Sequence, residues 1–156
     1  MYVNSYYYIS KGVFRMFDKI LLPTDGSEFS EQEVRRAIKA LSDDGEIIIL
    51  SVATKLEVAT AFQSRKAIAN MNEKFLNEAR ENVEHMASRF DEHVNVRKMV
   101  EEGIPSETIV RVAEEEDVDL IIISASGKSG LHRFFIGSVA EKVLKNSERD
   151  VLLVHN

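Results

Sequence analysis

Short blocks of branched aliphatic residues recur along the chain, separated by longer stretches in which apolar residues return every three or four positions. Five blocks stand out: KILLP (19–23), EIIILSVA (46–53), VNVRKMV (94–100), DLIIIS (119–124) and DVLLVH (150–155). Four are continuous Ile/Leu/Val runs, as expected of strands covered on both faces. The third holds Arg97 and Lys98, which suits a sheet edge. The stretches between them have a helical period. Val34, Ala37, Ile38 and Leu41 share one face of 28–42, where SEQE (30–33) has the spacing of a capping box. Ile68, Met71, Phe75, Ala79, Val83, Met86 and Phe90 form a long stripe over 67–90. Pro105 and Ser106 open 105–116, with Ile109, Val112 and Ala113 inward, and Val139, Val143 and Leu144 repeat the pattern over 138–146. These stripes are read as core.

Strands that alternate with helices imply right-handed crossovers and a parallel sheet covered on both sides. Such open α/β sheets bind ligands beyond the carboxyl ends of their strands, where the winding direction reverses. The residues at those ends are PTDGS (23–27), SVAT (51–54), EEG (101–103) and SASG (124–127). Small, polar and glycine residues gather there. The stretch TKLEVATAFQSRK (54–66) leaves a strand end and is placed to fold over a ligand.

A chain of 156 residues is one domain by length and can bury a core without staples. With no cysteine, disulfides, thiolate catalysis and zinc–thiolate sites are excluded. A net charge of -6 argues against a general nucleic-acid binder. No apolar run approaches the roughly 18 residues that span a bilayer, so no membrane role is expected. Residues 1–16 read as an N-terminal arm ahead of a single domain over 17–156. The arm holds all four tyrosines, and it lacks the basic segment and apolar core of a secretory signal. A cytoplasmic location is the expectation.

Against this acidic background, SASGKSGLHRFFIGS (124–138) stands out, because no acidic residue lies between Leu120 and Ala140. It is not the phosphate loop of NTPases. That pattern needs a glycine five residues before the GK pair, and Ile122 stands there. Nor does a G-x-G-x-x-G follow the first strand. What remains still suits an anion. Gly127, Gly130 and Gly137 permit close backbone approach, and Gly137–Ser138 stands at a helix start whose N–H groups favour phosphate. Lys128, Arg133 and His132 lie nearby in sequence. Asp25, at the end of the first strand, either accepts hydrogen bonds from a ribose diol or only caps the first helix.

FDKILLPTDGSEFSEQEVRRAI, EEGIPSETIVRVAEEEDVDLIIIS and SASGKSGLHRFFIGSVAEKVLKNSERDVLLVH together resemble the universal stress protein family, over roughly residues 17 to 155. The resemblance implies an α/β, Rossmann-like open five-stranded parallel sheet of order 3-2-1-4-5 with helices on both faces. It also implies ATP, ADP or AMP as ligand, with Mg2+ carried by the nucleotide. The binding members have the pattern G-x2-G-x9-G-[S/T]. Gly127 and Gly137–Ser138 match it, but Ser124 occupies the first glycine position. Serine is acceptable there if φ is negative and strained by about 1–2 kcal/mol if φ is positive. By resemblance, Pro23, Thr24 and Asp25 meet the adenosine, with Asp25 on the ribose hydroxyls. Val52 lies against adenine, and Ser124 and Gly127 face ribose and phosphates. Gly137, Ser138 and Val139 hold the phosphates. A homodimer through 150–155 is implied, and a protein partner of unknown identity would read it.

No catalytic residue is expected. Hydrolysis needs a positioned base and usually a metal held by carboxylate or hydroxyl, and no acidic residue lies near the phosphate stretch in sequence. His85, His93 and His155 form no cluster. PTDGSEFS does not match the S-G-G-x-D-S loop of ATP pyrophosphatases, and Asp25 lacks the neighbouring acid a receiver domain needs. The readings that follow are an ATP-binding homodimeric sensor, a nucleotide-free interaction module, and a slow ATPase.

Overall fold

The computed structural model describes residues 17–27, 30–57, 65–125 and 136–154. Within them the elements run β1 (Phe17–Pro23), α1 (Ser30–Ala40), β2 (Leu41–Ala53), α2 (Arg65–Ala87), β3 (Asn95–Glu102), α3 (Pro105–Glu115), β4 (Leu120–Ser124), α4 (Ser138–Asn146) and β5 (Asp150–Val154). The strands form one parallel sheet in the order β3-β2-β1-β4-β5. The expected architecture is therefore the observed one.

The continuous apolar runs have a simple cause. Successive strand side chains point to opposite faces, and both faces are covered. Ile20, Leu22, Ile47 and Ile49 pack with Val34, Ala37, Val83 and Met86 of α1 and α2. Leu21, Ile48, Leu50, Ile121 and Ile123 pack with Ile109, Val112, Ala140 and Val143 of α3 and α4. The first two helices thus cover one face and the last two the other, so the winding reverses between β1 and β4.

Several sequence expectations shift at their boundaries. Leu41 belongs to β2 instead of the first helix, because it pairs with Phe17 before the register shifts to Lys19↔Glu46. Ile38 and Met71, read as inward, are 39% and 46% exposed. Phe90 lies beyond the end of α2 but still packs against the core. At the β3 edge, Arg97 lies 3.0 Å from Glu46 and also bonds Glu116, which holds the Glu116 carboxyl below its ordinary range. Lys98 lies 2.8 Å from Glu84. The charges expected at an edge strand are thus paired along it. The expected arm, 1–16, lies outside the described residues.

Candidate functional site

The crevice is opened by the way β1 and β4 part. They pair at Ile20↔Leu120 and Leu21↔Ile121, while their outer neighbours stay paired to Pro23↔Leu50 and Ser124↔Val154. Backbone groups of successive strand residues face opposite sides. Thr24 N–H donates to Leu50 O of β2 at 2.8 Å, so Pro23 faces β4. Having no N–H, it cannot continue that ladder. Similarly, Ala125 N–H donates to Val154 O of β5 at 2.8 Å, so Ser124 N–H faces β1. Its acceptor is the Glu33 carboxyl of α1.

A cavity of about 530 Å3 lies over these strand ends, within the roughly 300–1,000 Å3 usual for small-molecule sites. Pro23, Thr24, Asp25, Val52, Ser124, Gly137, Ser138 and Val139 all line it. The structure therefore brings together every anticipated residue except Gly127, which lies outside the described residues, as do Gly130, Lys128, His132 and Arg133. Residues 58–64, the centre of the stretch expected to fold over a ligand, lie outside them too.

The β1 end is shaped by two local bonds. Gly26 N–H donates to Thr24 Oγ1 at 3.2 Å, and Ser27 N–H donates to Asp25 Oδ1 at 3.0 Å. Asp25 thus orders the turn ahead of α1, and its side chain is also on the cavity wall. Gly26 has φ +77, and a Cβ there would collide with Asn82 Oδ1. Only glycine takes that turn without strain. Asn82 in turn donates to Ser51 Oγ at 3.5 Å. After β2, the Asn72 side chain clasps Leu56 by both backbone groups, accepting from its N–H at 2.8 Å and donating to its carbonyl at 3.0 Å.

At the other wall, the Gly137 N–H is engaged by Ala125 O at 2.6 Å. Gly137 is the extended N-cap of α4, with φ -63 and no side-chain cap. The first-turn N–H groups without a carbonyl partner in the helix are those of Ser138, Val139 and Ala140, and all three residues line the cavity. Gly137 therefore acts by seating the helix start, and the donors begin one residue later. Ser124 is not strained: Asp117 is the single non-glycine residue with positive φ among those described.

Sequence reasoning missed Glu33, Glu78 and Asn82, all on the cavity wall. Glu33 is only 4% exposed. Burial, with Asp25 adding negative charge and the Ser124 N–H opposing, pushes its pKa up to about 8. The available signal was its place: residues 33, 37 and 40 share the buried face of α1, so a carboxyl stood on an otherwise apolar stripe. No Lys, Arg or His lines the cavity among the described residues. Neither do they hold a cluster of His, Asp and Glu able to bind a metal ion. No helix among them is long and apolar enough to cross a membrane.

Residues 16–155 match the family described as the universal stress protein family. The chain is 33% identical to Universal stress protein MJ0531 of Methanocaldococcus jannaschii, over 95% of this chain and 90% of that protein. It is 35% identical to Universal stress protein MJ0577 of the same organism, over 89% and 95%. The solved structure of MJ0577 superposes with a TM-score of 0.78 at 32% identity, covering 90% of this chain and 97% of that one. The fold also matches an Arabidopsis thaliana universal stress protein family protein with AMP bound, at TM-score 0.60 and 15% identity over 88% and 92%.

Proposed function

The chain belongs to the universal stress protein family, and from that premise we propose that it binds an adenine nucleotide in the crevice between β1 and β4. The observation that carries this reading is the convergence of Pro23–Asp25, Val52, Ser124 and Gly137–Val139 on one cavity at the reversal point of the sheet. ATP is the foremost ligand, and ADP and AMP share its adenosine contacts. In this reading Asp25 accepts from the ribose hydroxyls, and its bond from Ser27 N–H fixes the carboxylate for that task. Val52, half-buried at the β2 end, lies along the base. The Ser138 hydroxyl and the α4 first-turn N–H groups receive phosphate, aided by the helix dipole. Gly127, Lys128 and Arg133 follow β4 in sequence and supply further phosphate contacts. Mg2+ travels with the phosphates and neutralises part of their charge; the Ser138 hydroxyl is the described side chain suited to reach it.

The nucleotide-loaded protein acts as a cytoplasmic homodimeric sensor whose occupied surface a partner protein reads. Calorimetric titration with ATP and magnesium, with GTP as control, tests the reading. Micromolar ATP binding with little response to GTP is expected. No heat from folded, nucleotide-free protein overturns it in favour of an interaction module. Asp25→Ala is expected to weaken ATP at least tenfold, the scale of one lost hydrogen bond to a charged group, and inorganic phosphate hardly at all. Equal weakening of both ligands removes the ribose assignment.

A further inference from the structure

Glu33 is a carboxyl at the floor of a ligand cavity, with one backbone donor and no basic neighbour among the described lining residues. It takes the Ser124 N–H that β1 would have received had the ladder continued. The charged groups facing the cavity are Asp25 from the β1 end and Glu78 from α2, both acidic. From α4 the wall offers Ser138, and Arg35 and Arg36 of α1 itself are exposed. Lys128, His132 and Arg133 belong to 126–135, outside the described residues. We propose that Glu33 makes occupancy of this crevice proton-linked: the nucleotide binds with the Glu33 carboxyl protonated, and loss of that proton weakens the nucleotide.

The inference rests on the nucleotide reading above. In the protonated form one carboxyl oxygen keeps the Ser124 N–H, and the O–H is free to donate to Asp25 or to the occupant. A bound nucleotide covers the crevice and adds negative charge, and both effects favour the neutral acid over the carboxylate. Glu33 already titrates at about 8 without a ligand. Binding above that pH must therefore take up a proton, and affinity must fall as pH rises. Below it the carboxyl is neutral in both states and affinity is flat.

The test is titration of the full chain and of Glu33→Gln with ATP in excess magnesium, from about pH 7.5 to about pH 9.5. The last phosphate proton is gone by then, since its pKa is about 6, and histidine, near 6.5, is silent. In the wild type the dissociation constant is expected to rise towards tenfold per pH unit above about 8, the limit for one linked proton. Calorimetry in buffers of different ionisation enthalpy should show a fraction of a proton taken up. Glu33→Gln is expected to bind ATP with flat affinity and no uptake. A slope that persists in Glu33→Gln overturns the assignment. So does ATP binding by the wild type with neither slope nor uptake, an outcome that leaves the nucleotide reading standing and needs no variant. Absence of ATP binding at every pH overturns the nucleotide reading itself.

Discussion

Glu33 occupies a helix position whose neighbours, Val34 and Ala37, are core, and its cost to the fold is expressed through pH. Its carboxyl titrates at about 8 when folded, against an ordinary 4.5. Between those values the folded state holds a proton that the unfolded chain has released. Stability from this group is therefore complete below about pH 4.5 and declines as pH rises through 8. The decline is roughly 3–5 kcal/mol in total, at about 1.4 kcal/mol per unit. Urea denaturation at a series of pH values should show the wild type losing stability relative to Glu33→Gln over that window. Parallel curves for the two proteins contradict the buried-acid assignment. Ser124 poses the opposite case, a departure from the family pattern without a conformational cost. Its φ is not positive, so Ser124→Gly relieves no strain. ATP affinity is expected to stay within about threefold, under the 1.4 kcal/mol that makes a factor of ten. Affinity that appears only with glycine means the hydroxyl itself blocks the ligand.

At the scale of elements, the site depends on how strand ends are handed to the helices that follow. The β1–α1 turn needs the positive φ of Gly26 and sits directly under Asn82 of α2. Gly26→Ala introduces a left-handed alanine, at about 1–2 kcal/mol, and forces Asn82 off Ser51. A drop of about that size in chemical-denaturation stability is expected, with weaker ATP binding because Asp25 is the preceding residue. An unchanged protein means the turn relaxes freely. Strand and helix order were legible from sequence because buried parallel strands are continuous aliphatic blocks, and this sheet has four. The strand-end residues were legible because small and polar residues cluster there. Glu33 was obscured, since SEQE satisfies a local capping pattern that accounts for a glutamate on the apolar stripe, whereas in the fold its carboxyl takes the Ser124 N–H of β4 instead. The roles of Asn72 and Asn82 were equally hidden: they hold the segment after β2 and the end of β2 itself, more than fifteen residues away in sequence, through a helix whose stripe looked like core alone.

For the whole molecule, the two sheet edges differ in a way that bears on assembly. Along β3, Arg97 and Lys98 are tied down by Glu46, Glu116 and Glu84, and such charges discourage a further strand. The five residues of β5 include Val151, Leu152 and Leu153, which pack on the two core clusters. Val154 faces β4, because its carbonyl accepts from Ala125 N–H. By alternation Val151 and Leu153 turn their backbone groups away from β4, towards whatever lies beyond the edge. A homodimer through 150–155 would use those groups. Leu153→Pro removes one outward N–H without touching the bonds to β4, a place where edge strands accept proline. Some core packing is lost with the leucine, so folding must be checked by circular dichroism alongside. The wild type is expected to sediment as a dimer and Leu153→Pro as a folded monomer at the same concentration. A folded variant that remains dimeric places the interface elsewhere, and the sensor reading would then have to couple the crevice to another surface.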